Sequence, residues 1–145
     1  MNKEEKASEY FKNKFNCAQS VLTAFGNDYG ISEDNCLKIA CAFGAGMGRQ
    51  QYTCGAVTGA LMVLGLRYGK ALNDSEEKKL ETYGKTKIFF EEFIKENGTL
   101  NCKELLQGFV IENPDDYKKI MEKKLFETSC NKYVRDAVRI VGKMI

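Results

Sequence analysis

Thr53-Cys54-Gly55-Ala56-Val57-Thr58-Gly59-Ala60-Leu61-Met62-Val63-Leu64-Gly65-Leu66-Arg67-Tyr68 carries no charge before Arg67. A helix whose every side is small or apolar has no solvent face, so this stretch reads as a central helix buried on most sides. The full uncharged run, Gln50 to Leu66, is 17 residues long and includes several polar and small positions. It falls short of the about 20 apolar residues that a membrane span needs and reads as a buried helix with its entry loop. Gly55 and Gly59, with Ala56 and Ala60 beside them, form a small stripe at spacing four where another helix backbone or a ligand could approach closely.

Outward from this helix the chain keeps a helical pattern. Its only proline is Pro114, and strand signals are nearly missing. A first helix is expected over Lys3 to Asn13, and a second from Cys17 to about Tyr29 with Val21, Leu22, Phe25 and Tyr29 on one face. Ser32 should cap a third, turning Leu37, Ala40, Cys41 and Phe43 inward before the glycine cluster Gly44-Ala45-Gly46-Met47-Gly48. Ser75 to Asn97 reads as a long surface helix with Leu80, Tyr83, Ile88, Phe90 and Ile94 scattered among dense charge, stopped by Asn97-Gly98. A short helix from Cys102 to Gln107 follows, then a segment opened by Asn113-Pro114-Asp115. The final helix carries Tyr133, Val134, Ala137, Val138 and Val141 on one face; a break near Thr128 or unbroken helix from Asp115 would both suit the sequence. The expectation is an all-α single domain spanning residues 1–145, a bundle of about six or seven helices.

Composition narrows function by exclusion. Twenty-two basic and 20 acidic residues, interspersed, give a formal charge of +2, which marks neither a nucleic-acid nor a membrane surface. Without histidine there is no Cys-His or Ser-His catalysis and no imidazole ligand. Met1-Asn2-Lys3-Glu4-Glu5-Lys6 is charged and no apolar signal core follows it, so a reducing cytoplasm is expected and structural disulfides are a poor default. A chain of 145 residues can bury a core without staples, so its cysteines need another explanation.

Four of the six cysteines directly follow a residue that favours helix starts, in Asn16-Cys17, Thr53-Cys54, Asn101-Cys102 and Ser129-Cys130. As N-caps, those residues would set each thiol on a first turn, where the helix dipole favours thiolate. Gln19 and Glu104, three residues past Asn16 and Asn101, complete capping-box patterns. Cys54 is the best nucleophile by this reading, because Arg49 could add positive charge and the adjacent glycines leave one approach open. The glycine cluster lacks the Gly-Lys-Ser/Thr of a phosphate loop and reads instead as a flexible or close-packed turn. Cys36 and Cys41, five apart within one helix, are taken as core.

An isolated cysteine in Asn16-Cys17-Ala18-Gln19-Ser20-Val21, the motif Cys54-Gly55-Ala56-Val57-Thr58-Gly59, and the separated Cys102 and Cys130 together resemble the C_GCAxxG_C_C family of redox-active bacterial proteins. The approach Gly44-Ala45-Gly46-Met47-Gly48-Arg49 is similar as well. The resemblance runs from about Asn16 to Cys130. It implies electron or thiol chemistry and gives Cys36 and Cys41 no inherited role.

Three functions follow as expectations. In the first, a thiol/disulfide redox protein, Cys54 attacks and one of Cys17, Cys102 or Cys130 resolves, with a redox protein or small thiol as partner and oxidoreductase turnover left open. The second ligates zinc or an iron-sulfur cluster with the same four thiolates, although no close Cys-x-x-Cys pair is present. In the third, a helical interaction module, the cysteines are core residues and the small stripe and long helix would suit a homodimer.

Overall fold

Polar caps set most of the helix boundaries. The computed structural model describes residues 1–145 and holds eight α-helices and no strand, the all-α single chain fold expected with somewhat finer division. Helix α1 (Lys3–Lys12) opens at Asn2 in a capping box with Glu5. Helix α2 (Cys17–Gly26) opens the same way, the Asn16 side-chain oxygen Oδ1 accepting from the Gln19 backbone amide at 2.9 Å while the Gln19 side chain accepts from the Asn16 backbone amide at 2.9 Å. The chain continues through α3 (Glu33–Ala40, capped by Ser32), α4 (Gly55–Tyr68) and α5 (Glu76–Asn97, ended by Gly98). It closes with α6 (Cys102–Leu105, capped by Asn101), α7 (Pro114–Glu122, capped by Asn113) and α8 (Asn131–Met144). None of these helices is long and apolar enough to cross a membrane.

Helices α2, α4 and α8 supply most of the main core, through Val21, Leu22, Phe25, Val57, Val63, Leu64, Val134, Val138 and Val141. Glycine determines how near α2 and α4 come. A Cβ on Gly59 would lie 2.9 Å from the Ala18 carbonyl and 3.0 Å from the Val21 Cβ, and one on Gly55 would lie 3.1 Å from the Cys17 Cβ. The small stripe therefore receives the backbone of α2, and the crossing brings the start of α4 against the start of α2. On α5, Phe89 and Phe93 are fully buried, whereas Leu80, Tyr83, Ile88 and Ile94 are exposed. The burying pair is an i, i+4 stack with ring centroids 6.1 Å apart, and Phe90 only flanks the core. An ion-pair group ties α8 to α5: Arg139 reaches Glu96 at 2.7 Å and Asp136 at 2.9 Å.

A second, smaller core gathers Leu106, Ile111, Ile120 and Leu125 with Cys102 and Cys130. It lies where α6, α7 and the approach to α8 meet. Between α7 and α8 the chain turns at Lys124, whose φ is 55. Phe126–Cys130 then forms a π-helical turn that runs directly into α8. Ser129 is therefore no cap and Cys130 is not at a free helix start, which corrects the expectation for that pair; the helix begins a turn earlier because the π-turn amides already have partners, Cys130 N donating to the Leu125 carbonyl at 3.0 Å.

Residues Ala45 to Arg49 run consecutively at φ between 52 and 71, a short left-handed turn containing the non-glycine residues Ala45, Met47 and Arg49. Each such residue costs about 1–2 kcal/mol relative to right-handed backbone. Long-range amides hold it: Gly48 N donates to Ala42 O at 2.8 Å, Gln51 N to Ala45 O at 3.1 Å and Tyr52 N to Gly46 O at 2.9 Å. The turn is close-packed, since a Cβ on Gly46 would fall 2.5 Å from the Gln51 Cα. Buried Gln51 clamps it to the chain after α6, its Nε2 donating to Phe109 O at 2.9 Å and its Oε1 accepting from Ile111 N at 2.7 Å.

Candidate active site

The four motif cysteines come to one cavity by three local devices: an asparagine cap for Cys17 and Cys102, a β-bridge for Cys54 and a π-turn for Cys130. Cys17 is the first residue of α2, fixed by the Asn16 box. The side chain of Asn16 also donates to Cys41 O at 2.9 Å, and Gln19 donates to Leu37 O at 3.0 Å, so the same box holds α3 against α2. Cys54 is itself the residue before α4, and Thr53 pairs with Asn101 in a single antiparallel bridge rather than capping the helix. That corrects the second expected cap. The bridge is closed by Cys54 N donating to Leu100 O at 2.8 Å and Cys102 N donating to Tyr52 O at 2.7 Å. Cys54 and Cys102 thus sit diagonally across this one bridge. Cys102 begins α6, where Asn101 accepts from Glu104 N at 3.1 Å.

Cys17, Cys54, Cys102 and Cys130 line one cavity of about 960 Å³. All are free thiols; Cys54, Cys102 and Cys130 are buried and Cys17 is half-buried. Cys36 is core as expected, 1% exposed. Its sulfur packs where a Cβ on Gly26 would stand. Cys41, expected in the core, is exposed and lines the same cavity. The cause is local: α3 gives way after Ala40 to a 3-10 turn over Cys41–Phe43, which rotates residue 41 off the buried face. Its nearness to the other thiols was not legible in spacing alone, because the left-handed turn that follows has no single-residue signature.

Electrostatics overturn the expectation of depressed thiol pKa values. The adjoining Cys130 sulfur, followed by burial, pushes the Cys17 thiol well above its ordinary range. Burial, with the Cys17 charge second, pushes Cys54 up to about 12; the Ala56 and Val57 amides pull the other way and lose. Cys102 is also pushed up to about 12, by burial and then by Cys54 and Cys17. A helix terminus offers a charge about 0.3–1 kcal/mol at an exposed site, less than the cost of burying an unpaired anion, so desolvation decides the sign. At neutral pH these three reduced groups are protonated thiols.

Cys17 is the common member of this electrostatic set, adjoining Cys130 and coupled to both Cys54 and Cys102. No three His, Cys, Asp or Glu side chains stand together in an arrangement that could hold a metal ion. The cavity walls add Phe11, Phe15, Phe126 and Tyr133, whose hydroxyl donates to Leu105 O at 3.0 Å.

A family model described as "Putative redox-active protein (C_GCAxxG_C_C)" matches residues 15–144. An uncharacterized protein of Archaeoglobus fulgidus is 26% identical over 114 residues, covering 74% of this chain and 76% of its own. No solved structure matches the chain.

Proposed function

The chain belongs to the C_GCAxxG_C_C family, and from that premise we propose that it is a thiol/disulfide redox protein acting through Cys54, Cys17, Cys102 and Cys130. The observation that carries this reading is the meeting of four cysteines, far apart in sequence, on the walls of one cavity. Buried core cysteines scattered for packing alone have no reason to share an opening to solvent.

In the proposed exchange the Cys54 sulfur, deprotonated as the Ala56 and Val57 amides receive the charge, attacks one sulfur of a substrate disulfide. One substrate thiolate leaves and takes up a proton, and a mixed disulfide to Cys54 remains. The Cys17 sulfur, having lost its proton, attacks the Cys54 sulfur and expels the second substrate thiol. Two protein S–H bonds have become one S–S bond, and the substrate disulfide has become two thiols. A dithiol partner protein or a pool of small thiols returns the protein to the reduced form, for which a cytoplasmic setting is suited. Cys102 and Cys130 flank the pair as further exchange partners.

Anaerobic titration against mixtures of reduced and oxidised dithiothreitol tests the reading. The expected result is a reversible two-electron transition in which two thiols disappear together and return on reduction. Six thiols that stay titratable at every ratio would remove the proposal.

A further inference from the structure

The cavity lining carries three cations against one carboxylate. Lys12, Lys14 and Arg49 line the opening, are exposed, and take part in none of the ion pairs of the molecule. The single acidic lining residue is Glu127. Two of the three cations occupy left-handed backbone, Lys14 at φ 72 and Arg49 at φ 65. Glycine adopts this conformation without a Cβ penalty and asparagine is the usual second choice, whereas lysine and arginine gain nothing there in folding free energy. Lys124 adopts the same conformation away from the cavity, so the observation that points to an anion is the convergence of three cations without ion-pair partners, from two separate turns before α2 and α4, on one thiol-lined cavity.

We propose that the cavity receives a low-molecular-weight disulfide bearing carboxylates, of the kind an oxidised acidic thiol peptide provides, with Lys14 and Arg49 recognising the carboxylates while the disulfide meets Cys54. This rests on the thiol/disulfide reading and names its substrate class. A volume of about 960 Å³ lies at the upper end for small-ligand pockets, about 300–1,000 Å³. Aromatic walls suit the sulfur and methylene portion of such a molecule, sulfur on aromatic edges being a favourable contact. Lys12 adds to the field at the mouth. The chemical step is the exchange already written, with the peptide disulfide as oxidant and two peptide thiols as products.

The test compares glutathione disulfide with cystamine, a dicationic disulfide, as oxidants of the reduced full chain at low ionic strength, counting thiols lost with time. The variants are Lys14→Gly, Arg49→Gly and their combination, each keeping its backbone bond, Lys14 N to Phe11 O and Arg49 N to Gly44 O. The parent is expected to prefer glutathione disulfide, and the double variant to lose about tenfold in that preference, an effect that shrinks with added salt. The melting temperature should hold or rise. A double variant that keeps the parent's preference, or slows equally toward both disulfides, overturns the inference. Oxidation by diamide with no charge preference in the parent would overturn it alone and leave the redox reading standing; thiols that resist all three oxidants would overturn both.

Discussion

Replacing Cys17 with serine traps a mixed disulfide on Cys54. In the proposed sequence Cys54 opens the exchange and Cys17 closes it, so the variant should accept one half of a small disulfide and then stall. Intramolecular resolution draws on effective molarities far above any free thiol, so losing the resolving sulfur should slow release by at least about a hundredfold. The trapped species is read by intact mass, as an adduct that disappears on reduction. Cys36→Ser is the contrasting variant: this thiol lies in the core beside Gly26, so a hydroxyl there costs about 1–2 kcal/mol of stability and leaves the exchange rate unchanged. Cys17→Ser turning over at the parent's rate would place the resolving sulfur elsewhere.

The second large effect is alkaline destabilisation of the reduced protein. Cys54 and Cys102 hold their protons to about 12 when folded, against an ordinary value of 9.0. The unfolded chain therefore releases these protons first. Their contribution is fully present below pH 9 and is lost as the pH rises from 9 toward 12, with the folded state binding more protons throughout that window. Each thiol contributes a slope of up to about 1.4 kcal/mol per pH unit, so at pH 11 the pair removes on the order of 5 kcal/mol from a domain whose total stability is typically about 5–15 kcal/mol. Denaturant unfolding at successive pH values under strict reduction measures this. Lysines and tyrosines titrate in the same range, so the reading is the difference from Cys54→Ala, whose curve should be shallower by one thiol's slope. Parallel curves for the two proteins would show that Cys54 does not keep its proton when folded.

The uncharged stretch around α4 announced a buried helix because nothing in it could face water, and the Gly55 and Gly59 stripe announced a close crossing, filled by Ala18 of α2. Asn16 with Gln19, and Asn101, were readable as caps because capping is local chemistry within three residues. What escaped the sequence was set by contacts across the chain. The left-handed turn at Ala45–Arg49 exists only because amides reach back to Ala42, Gly44, Ala45 and Gly46, and three glycines in a row of five signal a turn without its hand. Cys130 closes a π-turn fixed by the packing of Leu125 and Ile120 in the second core, which no cap pattern encodes. Phe89 and Phe93 were hidden among other apolar residues on α5, because the helix touches the core along only a narrow line. The direction of the thiol shifts also depends on burial, a property of the fold, whereas the dipole that suggested the opposite sign belongs to one helix.

In the proposed function Cys17, Cys54, Cys102 and Cys130 act as one redox unit. The most direct test is proteolysis and mass mapping of the folded protein after brief exposure to a small disulfide, with remaining free thiols blocked in acid. Cross-linked peptides drawn from those four cysteines are expected, with Cys17–Cys54 foremost and Cys36 blocked as a free thiol. Cross-links that leave Cys17 and Cys54 both free, or no cross-link at all in a protein that remains folded, would contradict it.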